Sequence, residues 1–219
     1  MNIDKILLYI STGLIIISFV SYLFLIIFGR RKIVSKNDAF NVTKDIISEY
    51  NSINVIENSG YLTLYNIKRK VIKLASFCYY GKDLSSVSLS LMEASISVVD
   101  NNKNKYIDLF RYVFNNLKIL YILPLLAVFI NNSSFNMSDA KISIILVSIF
   151  FIIAYMILDI KSQGCFWISN NLKKIKDISN NNREKIINFM NKLLLCDKLI
   201  IMGEIVIIVR NVLILLEII

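Results

Sequence analysis

The chain has 219 residues, 56% of them hydrophobic, and a mean hydropathy of +0.60. A soluble domain is usually about 45–50% apolar, so the excess implies burial in lipid or in an assembly. The net charge of +9, from 25 basic and 16 acidic side chains, fits cytoplasmic loops that collect Lys and Arg better than nucleic-acid binding. The chain contains no histidine, which excludes a conventional His-ligated zinc enzyme and any Cys–His nucleophile pair. Cys78, Cys165 and Cys196 are widely spaced and form no C-x-x-C, so neither a disulfide framework nor a zinc knuckle is indicated.

In chain order, Ile6 to Phe28 is free of charge and ends at Arg30-Arg31-Lys32. At about 1.5 Å per residue a helix of this length exceeds the roughly 30 Å hydrocarbon layer. Bulky residues continue up to Phe28 without a small-residue cleavage site, so an uncleaved anchor over residues 1–29 is expected. Residues 30–116 form a polar portion. Asn41 to Tyr50 reads as a short amphipathic helix capped by Asn41 or Thr43. Val55 to Ala75 alternates apolar and polar residues on either side of Asn66–Arg69, the pattern of a hairpin or ribbon. Leu84 to Val99 mixes apolar residues with serines and carries only Glu93 as a charge, as expected of a buried helix that packs closely.

Ile119 to Ile130, which contains Pro124, and the uncharged run Ile142 to Leu158 suggest a transmembrane hairpin over residues 117–160. Residues 161–192 read as a basic, polar, cytoplasmic helix bearing Lys173, Lys174, Lys176, Arg183, Lys185 and Lys192. Residues 193–219 are hydrophobic yet hold Asp197, Lys198, Glu204, Arg210 and Glu217. Such a helix either spans the bilayer or lies at its surface. Charged groups at bilayer depth are costly and often functional. The placement of basic residues puts the N-terminus outside and residues 30–116 and 161–192 in the cytoplasm. The expected fold is a mainly α integral membrane protein with about four hydrophobic spans and a small α+β portion facing the cytoplasm.

Tyr79-Tyr80-Gly81-Lys82-Asp83-Leu84, followed by the serine-rich helix that reaches Met92-Glu93, resembles the membrane-bound bacterial neutral zinc metallopeptidases of the YugP type. In that family a Y-Y-G motif precedes a small-residue helix ending in H-E-x-x-H. Ser59-Gly60-Tyr61-Leu62-Thr63 is similar to the family's S-G-x-L-T turn, although one residue is missing just after it. Phe166-Trp167-Ile168-Ser169 is similar to the segment that begins with a ligand-bearing V-E-F. The order of hydrophobic segments also corresponds, so the resemblance extends over nearly the whole chain.

The resemblance implies a zincin-like cytoplasmic portion, a cell-membrane location and zinc in the resembled family. It places Glu93 at the general base, and Met92, Ile96 and Cys165 at the three metal ligands. In H-E-x-x-H the two imidazoles project from one helical face onto one ion, and the Glu activates the bound water. Here a thioether, an alkyl group and a thiol replace two imidazoles and a carboxylate. The expectation is therefore a catalytically inactive homologue without a cofactor, in which Glu93 is vestigial and the retained frame binds or regulates. Its partners are the lipid bilayer and either another membrane protein or a second copy, with no nucleic acid. Two alternatives stay open at this point. One is an active peptidase whose rearranged metal site uses Glu93, Cys165 and a further carboxylate such as Glu204. The other is a structural or channel-like membrane subunit unrelated to peptidases.

Overall fold

The computed structural model describes residues 3–50, 52–60, 63–66, 69–101 and 137–216. The expected span at Ile119–Ile130 lies outside them. The described chain is mainly helical and includes one small sheet. Its elements are α1 (Ile3–Gly29), α2 (Ala39–Ile46), β1 (Asn54–Asn58), β2 (Leu64–Asn66), β3 (Val71–Ala75), α3 (Ser76–Tyr79), α4 (Leu84–Asn101), α5 (Met137–Asn171) and α6 (Asn180–Leu215). A 3-10 turn, Leu172–Lys174, follows α5. Among the described residues α1 is the one helix long and apolar enough to cross a membrane by length and composition.

These elements divide into two compact units. The first takes in residues 3–22, 137–158 and 195–216; the second takes in 23–101 and 159–194.

In the first unit α1 and α6 run antiparallel along a regular seam. The Ser18 hydroxyl donates to the Cys196 carbonyl at 2.7 Å. A Cβ on Gly203 would stand 2.8 Å from Ile15 and 3.2 Å from the Ser11 carbonyl oxygen. Arg210 donates to the Asp4 carboxylate, and its side chain is only 4% exposed. Residues 4, 11 and 18 are therefore matched by 210, 203 and 196, seven-residue steps on both helices. That repeat keeps one stripe of each helix facing the other. Ile15 and Ile207 form the small apolar core beside it.

The outward faces of both helices are mostly apolar, with Lys5 and Lys198 exposed among them. On α6, Leu195, Met202, Ile205, Val209, Val212 and Leu216 are exposed, whereas Glu204, Arg210 and Asn211 are buried. On α1, Ser11 and Ser18 are buried while Tyr9, Ile16, Phe19 and Val20 are exposed. A water-facing helix shows the opposite arrangement.

The second unit is built around α4. Its serines Ser85, Ser86, Ser88, Ser90, Ser95 and Ser97 are all buried. Three of them return their hydroxyls to their own helix, Ser90 to Val87, Ser95 to Met92 and Ser97 to Ala94. Such small side chains let neighbouring backbones approach. A Cβ on Gly164 of α5 would stand 2.6 Å from the Ser95 Cβ, and one on Gly29 of α1 would stand 2.9 Å from the Ser85 Cβ. Helix α2 packs on α4 through its buried Val42 and Ile46 face.

Three local expectations are corrected. Helix α2 starts at Ala39, two residues before Asn41, because Asp38 rather than Asn41 or Thr43 caps it, accepting the Asn41 N–H at 2.9 Å. The ribbon gains a third strand. β2 and β3 form the antiparallel hairpin, and β1 pairs parallel to β3, giving the order β1-β3-β2. The hairpin turn is closed by the Asn66 side chain accepting the Arg69 N–H, with Lys70 left-handed at φ 51°.

The polar helix expected over 161–192 is two helices. α5 ends at Asn171 and α6 begins at Asn180. Arg183 closes the break by donating to the carbonyls of Lys173 and Ile175, at 3.2 and 2.7 Å. No interruption occurs at 160/161 or 192/193, where α5 and α6 run straight through.

Candidate functional site

Helix α4 carries Met92, Glu93 and Ile96, and its start is fixed by local chemistry. The Asp83 carboxylate accepts the Ser86 N–H at 2.9 Å and the hydroxyls of Ser85 and Ser86 at 2.7 Å, capping the helix. Just before it, Gly81 of the Tyr-Tyr-Gly sequence has no room for a side chain. A Cβ there would lie 2.7 Å from the Phe77 carbonyl oxygen and against Ser86. The Gly81 carbonyl also accepts the Ala39 N–H at 2.8 Å, joining the start of α2 to the start of α4. Tyr79 and Tyr80 form an aromatic ladder with Phe40: ring centroids lie 4.6 Å apart for Phe40–Tyr79 and 4.9 Å for Tyr79–Tyr80. The Tyr80 hydroxyl donates to Glu57 at 3.0 Å. That bond favours the protonated phenol and raises its pKa above 10.

Thr63 ties the loop before β2 to the sheet, its hydroxyl accepting the Ala75 N–H at 3.2 Å. Beneath this junction Cys78 is fully buried. Desolvation pushes its thiol up to about 11, so it stays protonated and unreactive at neutral pH.

Glu93 is half-buried and accepts the backbone N–H of Tyr65 at 2.7 Å. Tyr65 lies on β2, an edge of the sheet. Its side chain runs along α4, and its hydroxyl donates to Asp100 at 2.7 Å. Tyr65 and Asp100 are 6% and 5% exposed. Glu93 and Asp100 are seven residues apart, on one face of α4, so one helix grips a single strand residue at both its backbone and its phenol. This clamp was not anticipated from the sequence, although the seven-residue spacing of the two carboxylates was there to be read.

Met92 and Ile96 are both 5% exposed and Cys165 is 7% exposed. Gly164 seats the Cys165 segment against α4 at Ser95, one residue from Ile96. The frame thus brings α4 and the Cys165 segment together. Phe166 is 71% exposed, and Trp167 meets Tyr50 edge-on at 5.9 Å between centroids.

These residues do not fit the zinc of the resembled family. Ile96 has no donor atom, Met92 offers a soft thioether, and the Glu93 carboxylate is committed to Tyr65. Among the described residues no group of three or more His, Cys, Asp and Glu side chains is placed to hold a metal ion. Comparison of the chain with protein-family models, with curated proteins and with solved structures yields no match.

Proposed function

We propose that this chain is a catalytically silent, membrane-integral relative of the YugP-type zinc metallopeptidases, whose retained frame serves binding or regulation within the membrane. The observation that carries this reading is the partner of Glu93. A general base must face an ion-bound water and the substrate. Here the carboxylate accepts a backbone N–H of the edge strand, and the flanking ligand positions are an alkyl group and a thioether packed in the core. A lone carboxylate without a metal has no means of generating the hydroxide that amide hydrolysis needs.

The same reading gives the chain about four spans, with the N-terminus outside and residues 30–116 and 161–192 in the cytoplasm. Helix α1 supplies the length and the apolarity. α5 carries the uncharged run Ile142–Leu158 and exposes Ile145, Ile149, Ile152 and Tyr155. α6 buries Glu204 and Arg210, the latter paired with Asp4 of α1, while Lys198 is exposed among mostly apolar outward side chains. Lipid as the surrounding solvent explains that inversion, because an intramembrane charge is tolerated where it is paired or faces the bundle interior.

The test is metal and activity analysis of the purified full chain. The expected result is no stoichiometric zinc and no chelator-sensitive peptide cleavage. Zinc held in one-to-one ratio and lost in Glu93→Ala and Cys165→Ala would overturn the proposal.

A further inference from the structure

The segment that follows α1 is basic on its surface and rigid in its backbone. Arg30, Arg31, Lys32 and Lys36 are exposed, and no acidic residue occurs between Gly29 and Asn37. The segment is not a loose linker. The Leu84 N–H donates to the Lys32 carbonyl at 2.7 Å, and the N–H groups of Val34 and Ser35 donate to the Lys82 carbonyl at 3.0 and 3.3 Å. Ile33 forms a bridge with Asp83. This extended backbone buries Val34 and Ser35 and turns Ile33 outward, 77% exposed. No other large apolar side chain among the described residues is more exposed.

A second basic segment adjoins the first. The Asn182 side chain donates to the Val34 carbonyl at 2.9 Å, and Asn37 donates to Asp177. These bonds set Lys36 beside the segment that carries the exposed Lys176 and Lys185. The nearby carboxylates are largely engaged: Asp83 caps α4, Asp38 caps α2, and Asp177 accepts from Asn37. Glu184 is the exposed exception. On the other side, the last two turns of α1 expose Leu23, Phe24, Ile27 and Phe28. The Arg31 guanidinium lies over the Phe28 ring, 5.5 Å from its centroid. An apolar belt therefore gives way within one turn to a fixed array of cations with an isoleucine projecting from its midst.

We infer that residues 30–36, extended by Lys176 and Lys185, form a docking surface for anionic phospholipid headgroups. Arg31, Lys32 and Lys36 meet the phosphates, and Ile33 enters the boundary between headgroups and acyl chains. Free inorganic phosphate supplies the same charge, but it offers no apolar layer for Ile33 and no reason for the belt beside it. The inference rests on the reading of α1 as a membrane span, because that span puts the array at headgroup depth.

The experiment uses the full chain reconstituted in bilayers of equal parts phosphatidylcholine and phosphatidylglycerol, with the lipids retained after extraction measured by native mass spectrometry. Enrichment of phosphatidylglycerol that falls as salt is raised is expected. Each cation near the headgroups contributes about fivefold. The triple variant Arg31→Gln/Lys32→Gln/Lys36→Gln should therefore lose at least about tenfold of the enrichment, and Ile33→Ser a smaller part. Lys176→Gln/Lys185→Gln should weaken it as well. Unchanged enrichment in the triple variant, or equal retention of both lipids by the wild type, overturns the inference. Competition by inorganic phosphate at equal phosphorus concentration also overturns it, in favour of a free-anion site. Alkaline carbonate extraction separates the two readings. Protein released from the membrane refutes the span itself, whereas protein that stays membrane-bound without lipid preference refutes only the docking surface.

Discussion

Glu93 and Tyr65 are joined by a hydrogen bond from the strand's backbone N–H to the helix's carboxylate, 2.7 Å long. The bond ties the edge strand β2 to α4. Deleting the acceptor leaves the Tyr65 amide without it in a half-buried place. Glu93→Ala should destabilise the protein by roughly 1–3 kcal/mol, measured by denaturant unfolding in detergent. Glu93→Gln keeps an acceptor oxygen at the same reach and should cost much less. Equal losses in the two variants would refute the clamp.

The positions that the resemblance assigns to metal ligands lie where the Cys165 segment packs against α4, at Gly164 and Ser95. If that packing is inherited from a metallopeptidase, restoring the donors should restore metal binding. The triple variant Met92→His/Ile96→His/Cys165→Glu is expected to gain zinc in one-to-one ratio by elemental analysis. A folded triple variant that stays free of zinc would count against the shared ancestry.

Arg210 and Asp4 form a partly buried ion pair at one end of the α1–α6 seam, with Arg210 4% and Asp4 27% exposed. Removing one member of such a pair costs less than the roughly 3–5 kcal/mol of a fully buried one. Asp4→Asn and Arg210→Gln should each lower the thermal midpoint. The double variant should fall by clearly less than the sum, and simple additivity would show that the two residues do not act together. Gly203→Leu should also destabilise, because even a Cβ would meet Ile15 at 2.8 Å. Gly13, with nothing within 4 Å of a Cβ, is the matched control.

Cys78 titrates with a pKa raised to about 11 by desolvation. A raised acid pKa means that the folded state favours the protonated thiol. Its contribution to stability is therefore whole below the unfolded value of 9.0 and is lost as pH rises towards 11. An unfolding series from pH 8 to pH 11 should show an alkaline decline that Cys78→Ala flattens. Thiol-labelling reagents at pH 8 should leave Cys78 unmodified until the protein is unfolded. Rapid labelling of the native protein would contradict this account.

The sequence carried the helices that depend on long periodic or uncharged runs: α1, α4, and the apolar stretches within α5 and α6. It also carried the strands of the hairpin, whose alternation matches the pleat. The missed features depend on short polar side chains acting across a turn. Asp38 caps α2 from three residues before its expected start at Asn41, and Asp83 caps α4 from the residue before Leu84. The run Ser179-Asn180-Asn181-Asn182 begins a new helix inside a stretch read as continuous. The parallel pairing of β1 with β3 was not legible, because it is set by tertiary contact and not by spacing to a turn. At the candidate site, the lack of any donor at Ile96 and of a zinc-type donor at Met92 was legible from residue identity alone. The bond between Glu93 and the Tyr65 N–H was not, because it depends on how β2 lies along α4.

The seven-residue register of α1 and α6 has a topological result. Asp4 and Arg210 meet, so the opening turns of the first helix and the closing turns of the last stand at the same level, two hundred residues apart in the chain. If both helices cross a bilayer, as proposed above, these two ends face the same compartment. Reporter domains fused at the two extremities should then give the same accessibility, and a reporter placed after Lys36 the opposite.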